Sequence, residues 1–478
     1  MHRRRLGILA GWAAVLVCFG PTVGGGEPVA GEAATAPGHA SRVRLSLDVE
    51  GELFAPVGGD APPLRQPITV TGRYDFLEAP AAESRGTVVR RYLDAAADVR
   101  VEGVARRITL GDDARVLSVG LRGTTPSPWL ATGFLSRDEL DLVQTPFDPL
   151  LVDAIAPAEP IEVGGAWNVP GDVIAGLLAI DTVESGELRA TLAKVTLGRA
   201  TVTFAGIVDG AIDGVPTHVN VEGSLTLPGA STATAAYRLA GPVESLTATI
   251  RERREAGYVA PGFDVEARLA LARSATEDRV AVAEAPAAGS RRRGPGRQSL
   301  LWHRDADGRF DLVHDECWRT VEDGADGLVM RMVDHGTLVA QCSITALPRT
   351  DARTPPTIAE VERDLERSLA GQFGRIEHAA EATRSDGVRI VRVAVAGQAD
   401  DLPFRWIHHV LTDAAGHRLA VTCMLQTSLE GRFGAADREL VDGIVLPGDG
   451  AEPASATAEA DGADGEREAR LPKDSRTP

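Results

Sequence analysis

Hydrophobic and polar residues alternate along much of the chain between positions 42 and 275. Residues 42–49 read RVRLSLDV, and every second position is apolar. Successive side chains of a strand point to opposite faces, so this period of two predicts half-buried β-strands. The same pattern recurs at residues 68–76, 106–110, 116–121, 188–192, 200–207, 217–227, 233–239, 246–252 and 265–272.

Two local features interrupt or join these strands. Residues 209–214 read DGAIDG between two alternating runs, which is typical of a β-hairpin. Within 171–180 the apolar residues follow a helical spacing instead, with Asn168 predicted as the helix cap and Pro170 in the first turn. The strands before and after this helix leave open whether the region consists of two related halves.

Residues 299–447 show a mixed pattern of helices and strands. Thr357 and Glu360 have the spacing of a capping box, and apolar residues at helical spacing then continue to about residue 373. A second helix is predicted over residues 429–442. The predicted strands lie at residues 300–303, 310–314, 328–333, 337–344, 388–396, 404–411, 418–426 and 444–446.

These patterns divide the chain into two folded regions. We predict an α+β protein, in which a β-rich antiparallel domain over 42–275 precedes an α/β domain over 299–447. Residues 276–298 lose all periodicity and are predicted to form a linker. Residues 27–41 are predicted to be a flexible lead-in, and 448–478 a disordered tail.

The N-terminus has the layout of a secretory signal peptide. Three arginines at 3–5 precede an apolar run over 6–19, and small residues follow. The run of about 14 residues is shorter than the roughly 20 that a membrane-spanning helix needs. We therefore expect a cleaved signal peptide over 1–26, with a retained anchor as the alternative, and a secreted or periplasmic protein without a membrane span after cleavage.

The order of elements in the C-terminal region resembles that of a known structural group. Trp318 is followed by a predicted hairpin, the strand AQCSI at 340–344, an amphipathic helix, a long hairpin with Trp406 and a terminal helix with Phe433. This order is similar to the Mog1/PsbP-like α/β sandwich group. The resemblance implies a sandwich fold and a binding or assembly role, and it carries over no functional residue. The β-rich region resembles uncharacterised secreted bacterial proteins, which implies no function.

Composition and charge restrict the class of partner. The 478 residues are 44% hydrophobic, which is enough for packed cores, and 50 basic against 68 acidic residues give a net charge of −18. Phosphate backbones repel such a chain, so we expect no nucleic-acid partner. Cys18 lies in the leader, and Cys317, Cys342 and Cys423 remain. One disulfide with a free thiol and three buried thiols are both open.

The densest group of potential metal ligands lies on one predicted hairpin. A loop over 413–416 is predicted to pair Trp406 with Cys423. His408 and His409 are adjacent in the strand and point to opposite faces, so they cannot reach one ion. We expect His408 on the core face with Cys423 and no shared metal site. The candidate ligands are His408, His409, Asp413 and His417.

A second candidate covers residues 305–316, where acidic residues occupy positions 1, 3 and 12 of a calcium-loop pattern. Arg309 stands where a ligand belongs, and Phe310 where the turn needs glycine. We therefore predict a turn between strands. The chain also contains no serine-hydrolase elbow, zinc-protease, paired-cysteine, phosphate-loop or dinucleotide-loop motif. We expect no catalytic, cofactor-binding or metal-ligating residues.

These expectations favour a non-catalytic binding or interaction protein of the cell envelope, whose partner is an unknown protein or an apolar small molecule. The alternative is a carrier of an apolar ligand such as lipid, held between the β-rich sheet and the helix over 171–180. A further alternative is a hydrolase with a site that no motif marks. Trp129 and Trp167 lie near proline-rich loops, where they either cover a sheet end or line a ligand cleft.

Overall fold

The structure is a computed structural model of the chain. It describes residues 40–55, 63–81, 86–232, 236–239, 241–277, 300–334, 336–349 and 355–447. The predicted signal peptide and C-terminal tail lie outside the described residues, as do most of the predicted lead-in and linker.

A 13-stranded antiparallel sheet occupies the part of the chain before residue 277. Its strands are β1 (Ala40–Ala55), β2 (Leu64–Pro80), β3 (Val88–Val101), β4 (Val104–Thr109), β5 (Val116–Arg122), β6 (Thr125–Trp129), β7 (Ala166–Asn168), β8 (Thr182–Thr196), β9 (Arg199–Ile212), β10 (Val215–Ser231), β11 (Tyr237–Leu239), β12 (Ser245–Arg254) and β13 (Gly262–Thr276). Their order is β6-β5-β3-β2-β1-β13-β12-β10-β9-β8-β7, with β4 beside β3 and β11 beside β10. Two meanders, β1–β6 and β7–β13, are therefore joined through the pairing of β1 with β13.

One face of this sheet is apolar, and we call it the inner face. In β1 the alternation places Val43, Leu45, Leu47 and Val49 on this face, each at most 4% exposed. The inner residues of the other long strands belong to the same hydrophobic cluster. Three short helices contribute to that cluster: α1 (Arg137–Val143), α2 (Pro149–Val152) and α3 (Gly171–Leu178).

The large sheet curls until its two margins approach each other at α3. This helix contacts both β8 and β6, which lie near opposite ends of the strand order. A Cβ atom on Gly176 would lie 2.2 Å from the carbonyl oxygen of Thr124, so only glycine allows this approach. Glycine also allows a close approach of β1 to β13, where a Cβ on Gly51 would lie 2.2 Å from the Asp264 oxygen.

The C-terminal region is built on a second antiparallel sheet. Its seven strands follow the order β16-β17-β18-β22-β21-β20-β19, and β14-β15-β23 form a separate small sheet. The elements are β14 (Leu300–Arg304), β15 (Asp311–Asp315), β16 (Trp318–Gly324), β17 (Gly327–Asp334), β18 (Thr337–Leu347), α4 (Ile358–Leu369), β19 (Phe373–Thr383), β20 (Arg389–Ala399), β21 (Leu402–Thr412), β22 (Arg418–Gln426), α5 (Glu430–Phe433), α6 (Ala436–Asp442) and β23 (Ile444–Val445).

Helices cover both faces of the seven-stranded sheet. Val361 and Leu365 of α4 pack with Val393 on one face. Leu440 of α6 packs with Ala394, the next residue along β20, in the cluster on the other face. The predicted capping box is confirmed at the start of α4, where Thr357 and Glu360 bond to each other's backbone N–H groups.

The two folded regions contact each other directly. The backbone N–H of Trp302, in the small sheet, donates to the Leu135 carbonyl oxygen at 2.9 Å. Gly214, in the β9–β10 turn, lies so close to Gly336 that a Cβ atom on Gly214 would be 2.6 Å from the Gly336 Cα. Within the described residues, no helix is long and apolar enough to cross a membrane.

The predicted α+β class is wrong, because the structure is mostly β. Strands make up 61% of it and helices 15%. The strands extend well past the alternating runs, as in the 16 residues of β1, while α4 is the longest described helix at 12 residues. The predicted cap is also wrong: Asn168 lies in β7 and donates to Glu187 Oε2 at 2.8 Å, and Pro170 occupies the cap position of α3.

Candidate functional site

Charged side chains occupy inward positions at one end of β12. Leu246, Ala248 and Ile250 point to the inner face, and the same period of two then brings Glu252 and Arg254 to that face. Both charged residues are only 6% exposed. Buried charges are rare unless they are paired, so their placement on an apolar face identifies a candidate site.

The contacts of Arg254 leave part of its guanidinium group unused. Its Nη2 donates to Glu252 Oε1 at 2.5 Å, and its guanidinium carbon lies 4.7 Å from the centre of the Phe263 ring. The Nε atom is buried and has no hydrogen-bond partner in the described part of the chain. Arg254 is therefore a neutralised cation with a free N–H group at the inner face.

Arg254 belongs to one row of residues that crosses five neighbouring strands, and we call it the hairpin-end row. The pairing registers of β2, β1, β13, β12 and β10 place these residues side by side. The row lies next to the β1–β2, β12–β13 and β9–β10 connections. It consists of Gln66, Leu53, Phe263, Arg254 and Thr217, all buried.

The inner face beyond this row is almost entirely apolar. In the middle of β13, Ala267 lies between the buried residues Val265 and Leu269 yet remains partly exposed. Gly51, in the adjacent strand β1, is also partly exposed. The small side chain of Ala267 is therefore incompletely covered on the inner face, and Glu252 and Arg254 lie toward one end of that face.

The charged groups at the opposite end of the inner face form ion pairs, although the buried Nε of Arg273 has no hydrogen-bond partner among the described residues. Arg90 donates from Nη1 to Asp148 Oδ2 at 2.7 Å and from Nε to Glu78 Oε2 at 2.8 Å. Burial opposes its charge, but Asp148 and Glu78 raise the pKa of Arg90 well above its ordinary value. Arg273 donates from Nη1 to both carboxylate oxygens of Asp153 at 3.0 Å. These ion pairs hold the α2 segment against the sheet.

The histidine hairpin has a different register from the predicted one. Ile407, not Trp406, pairs with Cys423. The Asp413 carboxylate accepts hydrogen bonds from two loop N–H groups, one of them that of His417, and this draws His417 into a longer loop. The expectation that His408 shares a face with Cys423 is therefore wrong, since a shift of one residue exchanges the two faces of a strand, and His408 lies instead on the face that Val410 and α4 cover.

The adjacent histidines of this hairpin have separate partners. His409 hydrogen-bonds to Asp437 Oδ2 at 2.9 Å, and Arg392 donates to the same oxygen at 2.8 Å. His408 shares a hydrogen bond of 2.7 Å with Thr422 on the other face, and burial lowers its pKa to about 4. In the part of the chain that the structure describes, no group of three or more His, Cys, Asp or Glu side chains could hold a metal ion.

The acidic residues of the calcium-like pattern likewise bond to different partners. The Asp305 carboxylate accepts from the Arg309 Nε at 2.8 Å and from two backbone N–H groups of its own turn. Glu316 instead accepts from Arg122 of the large sheet at 2.8 Å. The structure therefore brings Asp305 and Glu316 to different partners.

The tryptophans and cysteines also have defined positions. Trp129 lies in β6, and Trp167 lies in β7 with its Nε1 donating to the Ile155 oxygen at 2.8 Å, so both belong to strands at the sheet margins. Cys342 lies directly opposite Cys423 on the neighbouring strand, and both thiols are buried.

Sequence reasoning missed Glu252 and Arg254 as site residues. The signal was present, because the predicted strand over 246–252 continues in phase for two more residues and places charges at core positions. Strand alternation alone cannot show that these positions face the interior of a curled sheet, since that depends on the pairing of β12 with β13.

Comparison with known proteins gives weak structural likenesses only. No family model matches the chain, and no curated protein matches it in sequence. The solution structure of cyanobacterial PsbP from Synechocystis is similar over 32% of this chain and 96% of that protein, with 14% identity and a TM-score of 0.27. A structure of lipovitellin, which describes its lipid–protein interactions, is similar over 51% of this chain, with 7% identity and a TM-score of 0.28.

These matches support only part of the resemblance inferred from the sequence. The PsbP match suggests a PsbP-like fold for about a third of the chain. The resemblance of the β-rich region to secreted bacterial proteins finds no support. The chain spans 26% of the lipovitellin chain. Both TM-scores are below 0.5, so no functional argument rests on either match.

Proposed function

We propose that this chain is a non-catalytic binding protein of the cell envelope, and that its large sheet carries an apolar ligand against the inner face. The observation that carries this proposal is the partly exposed Ala267 in the middle of an otherwise buried apolar face. Ligand sites are typically concave and apolar, with few polar groups. The inner face has this composition, with Glu252 and Arg254 among the few polar side chains that reach it.

The curvature of the sheet favours an enclosed ligand over a surface contact. Because α3 contacts both β6 and β8, the inner face is surrounded by strands and closed by a helix. Removal of apolar surface from water stabilises a complex by about 25 cal/mol per Å². A ligand with an apolar chain gains most where it is covered on several sides, as it would be here.

The extracytoplasmic location is part of the proposal and is supported by the predicted signal peptide. The net charge of −18 favours a soluble carrier that does not adhere to anionic surfaces. The contacts of the histidines and acidic residues described above are accounted for by folding alone, which supports a binding role without catalysis.

The proposal is tested with the purified full chain and the neutral apolar probe N-phenyl-1-naphthylamine. We expect a saturable increase in probe fluorescence, and lipid masses that co-purify with the protein in native mass spectrometry. An absence of saturable probe binding, before and after mild delipidation, would contradict the proposal.

Two variants at neighbouring positions of β13 distinguish a ligand site on the inner face from one on the outer face. Ala267→Trp fills the space above the inner face, and we expect it to weaken probe binding at least tenfold. Arg268→Trp adds the same ring on the exposed outer face, and we expect probe affinity to stay within twofold of the unmodified chain. Equal effects of the two substitutions would contradict a site on the inner face.

A further inference from the structure

We infer that the apolar ligand carries an uncharged hydrogen-bond acceptor, such as an ester carbonyl, which accepts from the Nε–H of Arg254. This inference rests on the function proposed above and names the chemical class of the ligand. It begins from a side chain that is 94% buried, since Arg254 is 6% exposed, and that has one unused donor.

Among the described residues, the unused donor has no acceptor. The Nη2 of Arg254 is already bonded to Glu252, and the flat face of the guanidinium lies over Phe263. The buried Nε has no hydrogen-bond partner. Buried N–H groups in folded proteins are almost always paired, and an unpaired one is unfavourable. An acceptor supplied by the ligand would complete this set of hydrogen bonds.

The charge of the neighbouring carboxylate determines the kind of acceptor. Glu252 lies 2.5 Å from the Arg254 Nη2 and neutralises the guanidinium. A fatty-acid carboxylate or a phosphate at the Nε would add a second anion beside Glu252 and leave a buried net charge of about −1. Uncompensated buried charge is strongly unfavourable. An ester or amide carbonyl accepts the hydrogen bond without adding charge.

The position of Arg254 also fits a ligand with a polar group at one end. Ala267 pairs with Ile250, which lies four residues before Arg254 in β12. At about 3.4 Å per residue, this places the partly exposed Ala267 roughly 14 Å along the strand direction from Arg254. An apolar chain can therefore extend over Ala267 while its carbonyl group remains at the hairpin-end row.

The test compares three molecules that share a ten-carbon chain and differ in the group at its end. Decane has none, methyl decanoate has a neutral one, and decanoate at pH 8 has a charged one. Each competes with N-phenyl-1-naphthylamine for the unmodified full chain. We expect methyl decanoate to displace the probe at about tenfold lower concentration than decane, which corresponds to about 1.4 kcal/mol. We expect decanoate to be weaker than methyl decanoate.

A double substitution then assigns the preference to the ion pair. Replacing both partners with apolar residues, Glu252→Leu with Arg254→Met, avoids leaving one buried charge alone. We expect the preference for the ester over decane to fall to within twofold, with decane affinity unchanged. The matched control removes an ion pair from the outer face of β12 and β13, Arg251→Met with Glu266→Leu, whose Nε–Oε2 distance is 2.8 Å. We expect this control to keep the tenfold preference.

The outcomes separate the inference from the function on which it rests. Equal displacement by decane and methyl decanoate, or strongest displacement by decanoate, would overturn the inference while probe binding still supports a carrier. A tenfold ester preference that survives the inner double substitution would also overturn it. If the probe does not bind to the unmodified chain, the proposed function itself fails. The comparison of the three molecules requires no variant, so a folding defect in the double variant leaves it decisive.

Discussion

Loss of the Arg90 side-chain charge should strongly destabilise the large sheet. The guanidinium group is 2% exposed and donates to Asp148 through both Nη atoms, at 2.7 and 2.5 Å, and to Glu78 through Nε. Arg90→Met keeps an apolar stem of similar length but leaves the buried Asp148 carboxylate without its cation. Removing one partner of a buried ion pair typically costs about 3–5 kcal/mol. We expect the free energy of unfolding to fall by about that amount.

Urea unfolding followed by far-ultraviolet circular dichroism measures this effect. The control is Arg91→Met, because Arg91 is the next residue of β3 and is exposed on the outer face. We expect this control to change the free energy by at most about 0.5 kcal/mol. Adding Asp148→Asn to Arg90→Met should restore part of the loss, since the amide oxygen can still cap α2 but carries no charge. A loss below about 1 kcal/mol in Arg90→Met, or no recovery in the double variant, would refute the reasoning.

Three further predictions concern a buried histidine, a strand glycine and the cysteine pair. Burial lowers the pKa of His314 to about 4 against an ordinary 6.5, so the unfolded state binds more protons between these pH values. The contribution of neutral His314 to the free energy of unfolding should be complete above pH 6.5 and fall by up to about 3 kcal/mol as the pH approaches 4. Urea unfolding across this range should show that the free energy of unfolding depends less on pH in His314→Gln than in the unmodified chain. An unchanged pH dependence would contradict this prediction. Gly206→Ala would place a Cβ atom 2.0 Å from a carbonyl oxygen of the neighbouring strand, so thermal unfolding should show a loss of about 1–3 kcal/mol. Gly171→Ala, with open space around it, should stay within about 0.5 kcal/mol, and equal effects would contradict the steric argument. Cys342 and Cys423 are opposed across two strands, so the thiol oxidant diamide should slowly join them, as non-reducing peptide mapping would show; exclusive pairing of either with Cys317 would disprove this.

Strand alternation predicts the backbone of the large sheet well where burial on one face dominates. The alternating residues 42–49 lie within β1, and the hairpin predicted at 209–214 is confirmed by the turn at Asp213 and Gly214, where Ile212 pairs with Val215. The pattern predicts strand cores better than strand ends. In β1 the strand continues beyond residue 49 because backbone pairing with β2 and β13 extends to its end.

Other features depend on contacts that a sequence pattern does not show. Helix α1 begins with a capping box of Ser136 and Glu139 but was missed, because its 7 residues are too few for a clear helical period. The register around His417 was shifted by one residue, because the Asp413 side chain bonds to loop N–H groups and enlarges the loop. Arg254 was missed because its environment is set by strand pairing across the sheet.

The closure of the large sheet at α3 has a mechanical consequence. Among the described strands, β6 is hydrogen-bonded to β5 alone and β7 to β8 alone, so no backbone ladder joins the two margins. Elsewhere the described strands of the large sheet are joined by backbone hydrogen bonds, and separating two of them requires a whole row of N–H to C=O bonds to break. Along the line where Gly176 meets Thr124, a short helix packs against the β5–β6 turn and no strand pairing has to be broken among the described strands. This seam is therefore the least costly route by which a bulky molecule could pass between the solvent and the inside of the large sheet.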